Sequence, residues 1–269
     1  FRRSKPVFGY MLLTVPELVL LMLGFLVIAT LYSSVGFGGG SSYLALLALV
    51  FTSFFAIRST ALICNLVVVS GSSYLYWKNG HLDFKKFLPF IITSIPLAFI
   101  GARFRLSEST FFIILGGALI ISALALIYQT LQPKKSEEVN PDYPPYVTYL
   151  LGAGIGLLSG LVGIGGGIFL APILNHMKWD KSIKIAALAS FFILVNSVSG
   201  IGGLLTKGTF ELPWIEAIGL IVAVFIGGQI GIRLSLNKLT GNGIKIVTAV
   251  LVLVVGARVL LVNGLQIKF

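Results

Sequence analysis

Apolar positions along this chain gather into long runs with no regular polar stripe. The runs cover Met11–Val35, Ser41–Phe54, Ala56–Trp77, Phe87–Ala102 and Phe111–Leu131. They resume over Tyr146–Val162, Ile168–Met177, Ile185–Leu205, Trp214–Ile232 and Ile244–Val262. A membrane β-strand would alternate polar and apolar over about 10 residues, and these runs do not. Most approach the ~20 residues that an apolar helix needs to cross hydrocarbon. Ile168–Met177 is too short to cross at ~1.5 Å of rise per residue. In hydrocarbon every backbone N–H and C=O must be paired within the protein, which leaves helices as the element these runs can form.

Composition gives the runs their solvent. Hydrophobic residues make up 57% of the 269, mean hydropathy is +0.99, and only 11% of residues are charged. A soluble domain carries ~25% charged residues, so the expected fold class is an all-α polytopic membrane protein, in a plasma or inner membrane. Formal net charge is +11, but Lys and Arg sit in the short breaks between runs. That placement reads as head-group contact and topology signal, not as a nucleic-acid surface. Arg2, Arg3 and Lys5 precede the first run without a small-residue cleavage pattern, so that run reads as a retained helix. The lone cysteine, Cys64, can form no intrachain disulfide.

The halves resemble each other. Val35-Gly36-Phe37-Gly38-Gly39-Gly40 returns as Val162-Gly163-Ile164-Gly165-Gly166-Gly167, Ser70-Gly71 as Ser199-Gly200, and Gly101-Ala102-Arg103 as Gly231-Ile232-Arg233. Lys78-Asn79-Gly80 corresponds to Lys207-Gly208, and all four landmarks recur in one order, 127 to 130 residues later. Between them, Gln132–Pro145 is polar and proline-rich. The expected organisation is a first transmembrane repeat over 1–131, a linker over 132–145 and a second repeat over 146–269. Each repeat would hold four or five helical segments, broken or re-entrant at the glycine-rich turns. Duplicated membrane units are a common build of secondary transporters. Five spans per half would oppose the two orientations and four would keep them parallel; Lys and Arg counts on alternate loops favour neither.

Candidate chemistry starts at those turns. Each helical glycine costs about 1 kcal/mol relative to alanine, so Gly-x-Gly-Gly-Gly invites an unwound turn. Unwound backbone at membrane depth is tolerated where it is buried in protein or lines a cavity. The helix that restarts presents free N–H groups and the positive end of its dipole to an anion. The same glycines would also let helices pack closely. Ser41 and Ser42 could cap the first restart, whereas Ile168 and Phe169 hold those places in the second half. Asn65 and Asn196 are polar residues inside apolar runs, able to bond a neighbouring helix or an oxyanion. Thr60, Ser70, Ser190, Ser197 and Ser199 lie nearby. Arg103 and Arg233 each follow a glycine near a run's end, where they could snorkel or hold an oxyanion. Arg58 and Lys184 are similar, and Arg258 is deeper. The candidate substrate contacts are Gly36, Gly38, Gly39, Gly40, Ser41, Ser42, Asn65, Gly163, Gly165, Gly166, Gly167, Ser190, Asn196, Arg103 and Arg233.

The nine acids lie in breaks or near run starts. A central carboxylate proton relay is therefore not expected, nor is an enzyme: no metal cluster or nucleophile–base pair is evident.

The doubled glycine motif, Ile168-Phe169-Leu170-Ala171-Pro172 after its second copy, the Asn65 and Asn196 segments and the Gly-x-Arg pairs resemble the TauE/SafE sulfite-exporter family. That family is also known as the toluene-sulfonate uptake permeases. The resemblance spans roughly Pro16 to Val262. It implies a membrane transporter of sulfite, organosulfonates or related anions; the duplicated build points to alternating access between the repeats, and nothing in the sequence requires a cofactor or metal. An anion channel and cation-coupled uptake are the alternatives, and a subunit dependent on a partner is a third class. The partners implied are a small anionic solute and the lipid bilayer; a homodimer is compatible with the sequence.

Overall fold

The computed structural model describes residues 14–51, 53–104, 106–131, 143–237 and 242–267. Among these the chain forms ten α-helices: α1 (Val15–Ser34), α2 (Gly40–Leu47), α3 (Phe54–Lys78), α4 (Phe84–Arg103), α5 (Glu108–Leu131), α6 (Pro145–Val162), α7 (Gly167–His176), α8 (Ser182–Thr206), α9 (Trp214–Leu236) and α10 (Asn242–Arg258). The last continues as a π-helical turn over Val259–Gly264. Eight helices are long and apolar enough to cross a membrane; α2 and α7 are not. The polar linker up to residue 142 lies outside the described residues.

Local sequence sets the ends. Thr14 and Glu17 form a capping box ahead of α1. Ser53 caps α3 through the Ala56 N–H and Asp83 caps α4 through the Lys86 N–H. Large side chains such as Leu20, Ile121 and Ile215 are more than 70% exposed. Outward-facing apolar groups on that scale need hydrocarbon around them. Trp77, Tyr146 and Trp214 are exposed near helix ends, where amphipathic rings meet head groups.

Close packing gives the directions of the helices. Gly152, Gly156 and Gly160 of α6 lie in register on Phe90, Ser94 and Ala98 of α4, so these two run parallel. Gly227 and Gly231 of α9 lie on Leu26 and Thr30 of α1, again parallel. Small residues every fourth position let backbones touch, the usual way helices associate without a hydrophobic drive. Ser33 of α1 bonds to Ser72 of α3 and to the Gly228 carbonyl of α9. Tyr76 of α3 meets Ser235 of α9. So α1, α3 and α9 run one way. Ile95 and Ala102 of α4 meet Ser199 and Gly203 of α8, so α4, α6 and α8 run together, and Asn65 with Ser197 and Leu62 with Gly200 set them against the first group. Likewise α5 opposes α10: Gly116 lies on Gly256 and Ser109 donates to Gly264 O.

Between parallel α1 and α3 the chain must return, and α2 does so. Tyr43 stacks on Phe25 at 4.5 Å and Leu46 lies against Gly24. The expectation that only four long helices per half would keep the halves parallel fails here, because α3 and α8 are opposed.

Candidate functional site

The two glycine turns meet around Asn65. Gly39 and Gly166 are the N-caps of α2 and α7, with φ of +89° and +82°. That left-handed backbone is cheap for glycine and strained for other residues. Neither helix start receives a side-chain cap, so the N–H groups of Gly40, Ser41 and Ser42 on α2 and of Gly167 and Ile168 on α7 have no intrahelical acceptor, whereas the Phe169 N–H donates to Gly166 O at 3.0 Å. Ser41 and Ser42 do not cap α2: Ser42 Oγ and Tyr32 Oη are 2.6 Å apart and Ser41 Oγ is 3.5 Å from the same hydroxyl. They lie inside the first turn of the helix, beyond the cap position.

Asn65 Nδ2 donates to Ile164 O of the second turn at 3.2 Å and to Ser197 Oγ at 3.3 Å. A Cβ on Gly40 would lie 3.1 Å from the Asn65 amide carbon, and one on Gly165 only 2.9 Å from Nδ2. One buried amide thus sits between both turns, and its Oδ1 has no partner among the described residues. Polar atoms without a partner border each turn: Tyr43 Oη beside Gly39, and Ser159 Oγ on the residue packed against Gly166. Both amide atoms of buried Asn196, and Thr60 Oγ1, are also unpartnered. Buried polar groups are ordinarily hydrogen-bonded, so the Asn65, Tyr43 and Ser159 orphans beside the two helix starts make this the candidate site.

A crevice runs here, lined by Tyr32, Phe37, Gly38, Ser41, Ile164 and Ile193 among others. Its volume is about 10 Å³, the room of one water. Ser190 Oγ donates to Gly36 O at 3.0 Å and locks the first turn to α8.

Arg103 and Arg233 stand apart from this centre. Both are exposed in the last turns of α4 and α9, and Arg103 lies over the Phe99 ring at 5.8 Å. Arg58 is the residue the sequence undervalued. It is 3% exposed, packs on Gly163 and donates through Nη2 to Gly160 O at the end of α6. The signal available was its place seven residues before Asn65, two turns along one helix face. Among the described residues no three of His, Cys, Asp and Glu gather as metal ligands.

The family described as "Sulfite exporter TauE/SafE" matches residues 20–259. The chain belongs to the TauE/SafE family. It is 32% identical over 248 residues to the "Probable membrane transporter protein y4hK" of Sinorhizobium fredii, covering 91% of this chain and 98% of that protein. It is 26% identical over 262 residues to the transporter protein YunE of Bacillus subtilis, across 88% and 94% of the two chains. A transporter protein of Methanocaldococcus jannaschii is 26% identical over 259 residues, across 90% and 95%. This TauE/SafE member is a multi-pass transporter of the cell membrane, with eight helices suited to span it.

Proposed function

We propose that this TauE/SafE transporter moves small sulfur-containing anions such as sulfite or organosulfonates, holding each between two repeats of opposite orientation. The observation that carries the reading is the Asn65 amide set between both glycine turns with its own oxygen unpartnered. The opposed directions of α3 and α8, and of α5 and α10, support inverted repeats over 1–131 and 146–269. In that arrangement α1–α2 and α6–α7 are re-entrant hairpins dipping in from opposite faces, and their glycine tips meet at mid-depth. Substrate sites of inverted-repeat transporters lie at such repeat interfaces, beneath half-helix N-termini.

Free N–H groups at the starts of α2 and α7 would hold the anion's oxygens. The Asn65 oxygen would accept from a donor on the solute, such as the proton of hydrogensulfite or an ammonium or hydroxyl on an organosulfonate. Asn196, Ser41 and Ser42 would complete the shell. A crevice with room for one water speaks for a closed carrier state more than for an open channel, so rocking of one repeat against the other must widen it. Each negative charge leaving a negative-inside cell gains about 2.3 kcal/mol per 100 mV, so export needs no coupling ion, whereas uptake would need a coupled cation or a steep solute gradient. The relatives' names describe transporters, and we read this chain likewise as a carrier and not a catalyst.

The test is thermal unfolding of the purified protein with sulfite, thiosulfate, sulfate, taurine, acetate and chloride. A ligand of the folded state raises the melting temperature once well above its Kd. Stabilisation by a sulfur oxyanion and not by chloride or acetate upholds the reading. No response at millimolar concentration defeats it.

A further inference from the structure

We propose a second site, at the mouth beside the turn of α6 and α7, that captures an oxyanion head carrying a short apolar tail. A cavity of 150 Å³ lies where α3 begins and α4 and α8 end, with Arg58, Arg103 and Lys207 in its lining beside Phe54, Phe55 and Phe111. Among the described residues no carboxylate lines it. Glu211, on the loop after α8, accepts from Ser53 and stays outside the lining. Among the described residues none of the three cations is in an ion pair. Arg58 Nε is buried without a partner.

A buried guanidinium without a carboxylate is costly. Helix capping is the rival explanation, since Gly160 O of α6 accepts from Arg58, Arg103 ends α4 and Lys207 is the C-cap of α8. A helix C-terminus supplies only about −0.5 of a charge. Three such ends and the nearby Glu211 carboxylate, set against three full cations, leave about +0.5, focused by low-dielectric walls. Cations beside aromatic rings suit a sulfonate, carboxylate or phosphate head with a compact apolar body.

The equivalent mouth in the other half is closed. Ile183, Ala186, Ile232 and Leu236 stand where Phe55, Arg58, Ala102 and Leu106 stand in the first set, 128 to 130 residues earlier. There they pack around Tyr76 and Ala187 as one apolar cluster, and although Lys78 and Arg233 recur at the places of Lys207 and Arg103, Ala186 replaces the buried Arg58. Capture is therefore one-sided. Arg58 lies seven residues from Asn65 on α3, about 10 Å along the axis, so an anion held here is staged for the central crevice. The site goes beyond the central one and stands even if the central reading fails.

The probe is benzenesulfonate, titrated calorimetrically into the purified protein in phosphatidylcholine discs. The wild type should bind it, and the Arg103→Gln/Lys207→Gln double variant should bind at least about tenfold more weakly, while Asn65→Leu binds at this site as the wild type does. The unliganded double variant should melt with the wild type. In a second arm, phosphatidylglycerol replaces part of the lipid. If it displaces benzenesulfonate and is retained by the wild type but not the double variant, a lipid head group is the occupant and the same chemistry holds. Equal affinity of wild type and double variant for both probes overturns the site. So does a wild type that binds neither, or a double variant that only loses unliganded stability, which is the capping outcome.

Discussion

The two glycine turns share a backbone plan and differ in what presses on them. Gly36 packs so closely on Ala186 that a Cβ added to it would lie 2.6 Å from the alanine's own, and Gly163 packs on Arg58. Asn65 flanks Gly38 and Gly40 at the first turn, while Ile193 flanks Gly165 and Gly167 at the second. Past the turns, Ser41 and Ser42 meet Tyr32, whereas Ile168 and Phe169 offer no hydroxyl. Each pair holds one polar and one apolar member at comparable positions. Two similar glycine turns thus aim two helix starts at one place, while the side chains pressed on them differ in polarity. The cation belongs to one side and the hydroxyls to the other.

The largest effect expected is from Gly39→Val or Gly166→Val. Each forces a β-branched residue into positive φ, with its Cβ 2.8 Å from Tyr43 or 2.9 Å from Ile155. Strain of about 1–3 kcal/mol plus the clash should abolish flux in proteoliposomes while the purified chain remains monodisperse. Wild-type flux from both variants would remove the turns from the mechanism. Next comes Arg58→Ala, which makes the second turn resemble the first. It leaves Gly160 O unpartnered, at about 1–3 kcal/mol, so the melting temperature and the flux should both fall. Unchanged flux would show the cation to be a cap alone.

Asn65→Leu gives the first turn the apolar flank of the second. Its two donor bonds are worth about 1 kcal/mol each, and central binding should weaken by about tenfold or more. An unchanged sulfite response in thermal unfolding would take Asn65 out of the site. The smallest effect lies far from both turns. Asp180, between α7 and α8, pairs with Lys86 of α4 at 2.9 Å and with Lys184 at 3.9 Å. Burial resists its ionisation, but the bonds from Lys86 and the Lys181 N–H and the two ammonium charges outweigh that and hold its pKa below the usual value. A pKa lowered by folding adds stability above the unfolded value, and that stability is lost as pH falls through the folded one. Asp180→Asn should therefore cost under about 1 kcal/mol at pH 7 and flatten the acid side of the melting curve. An acid limb identical to the wild type's would show that the pair contributes nothing.

Much of this was written in the chain. All ten apolar runs became helices, within a few residues at most ends, because an apolar segment in hydrocarbon has few ways to pair its backbone other than a helix. The glycine runs marked where helices break, since only glycine takes up positive φ without strain. Ser190 and Asn65 stand out as polar residues in apolar runs, and both reach the turns. Arg103 and Arg233 stand out as cations ending such runs, yet they sit exposed at helix ends. Sequence spacing tells which turn of a helix a residue occupies, and not what lies across from it.

Helices, breaks and bilayer followed from sequence alone, because hydropathy and glycine act locally. Tertiary structure alone decided that α3 opposes α8, that one amide reaches both turns and that Arg58 lies beside a cavity while its counterpart Ala186 lies in an apolar cluster. Those outcomes depend on which faces meet across ~100 residues of chain or more, and contact at that range is set by packing of the whole bundle and not by any local propensity.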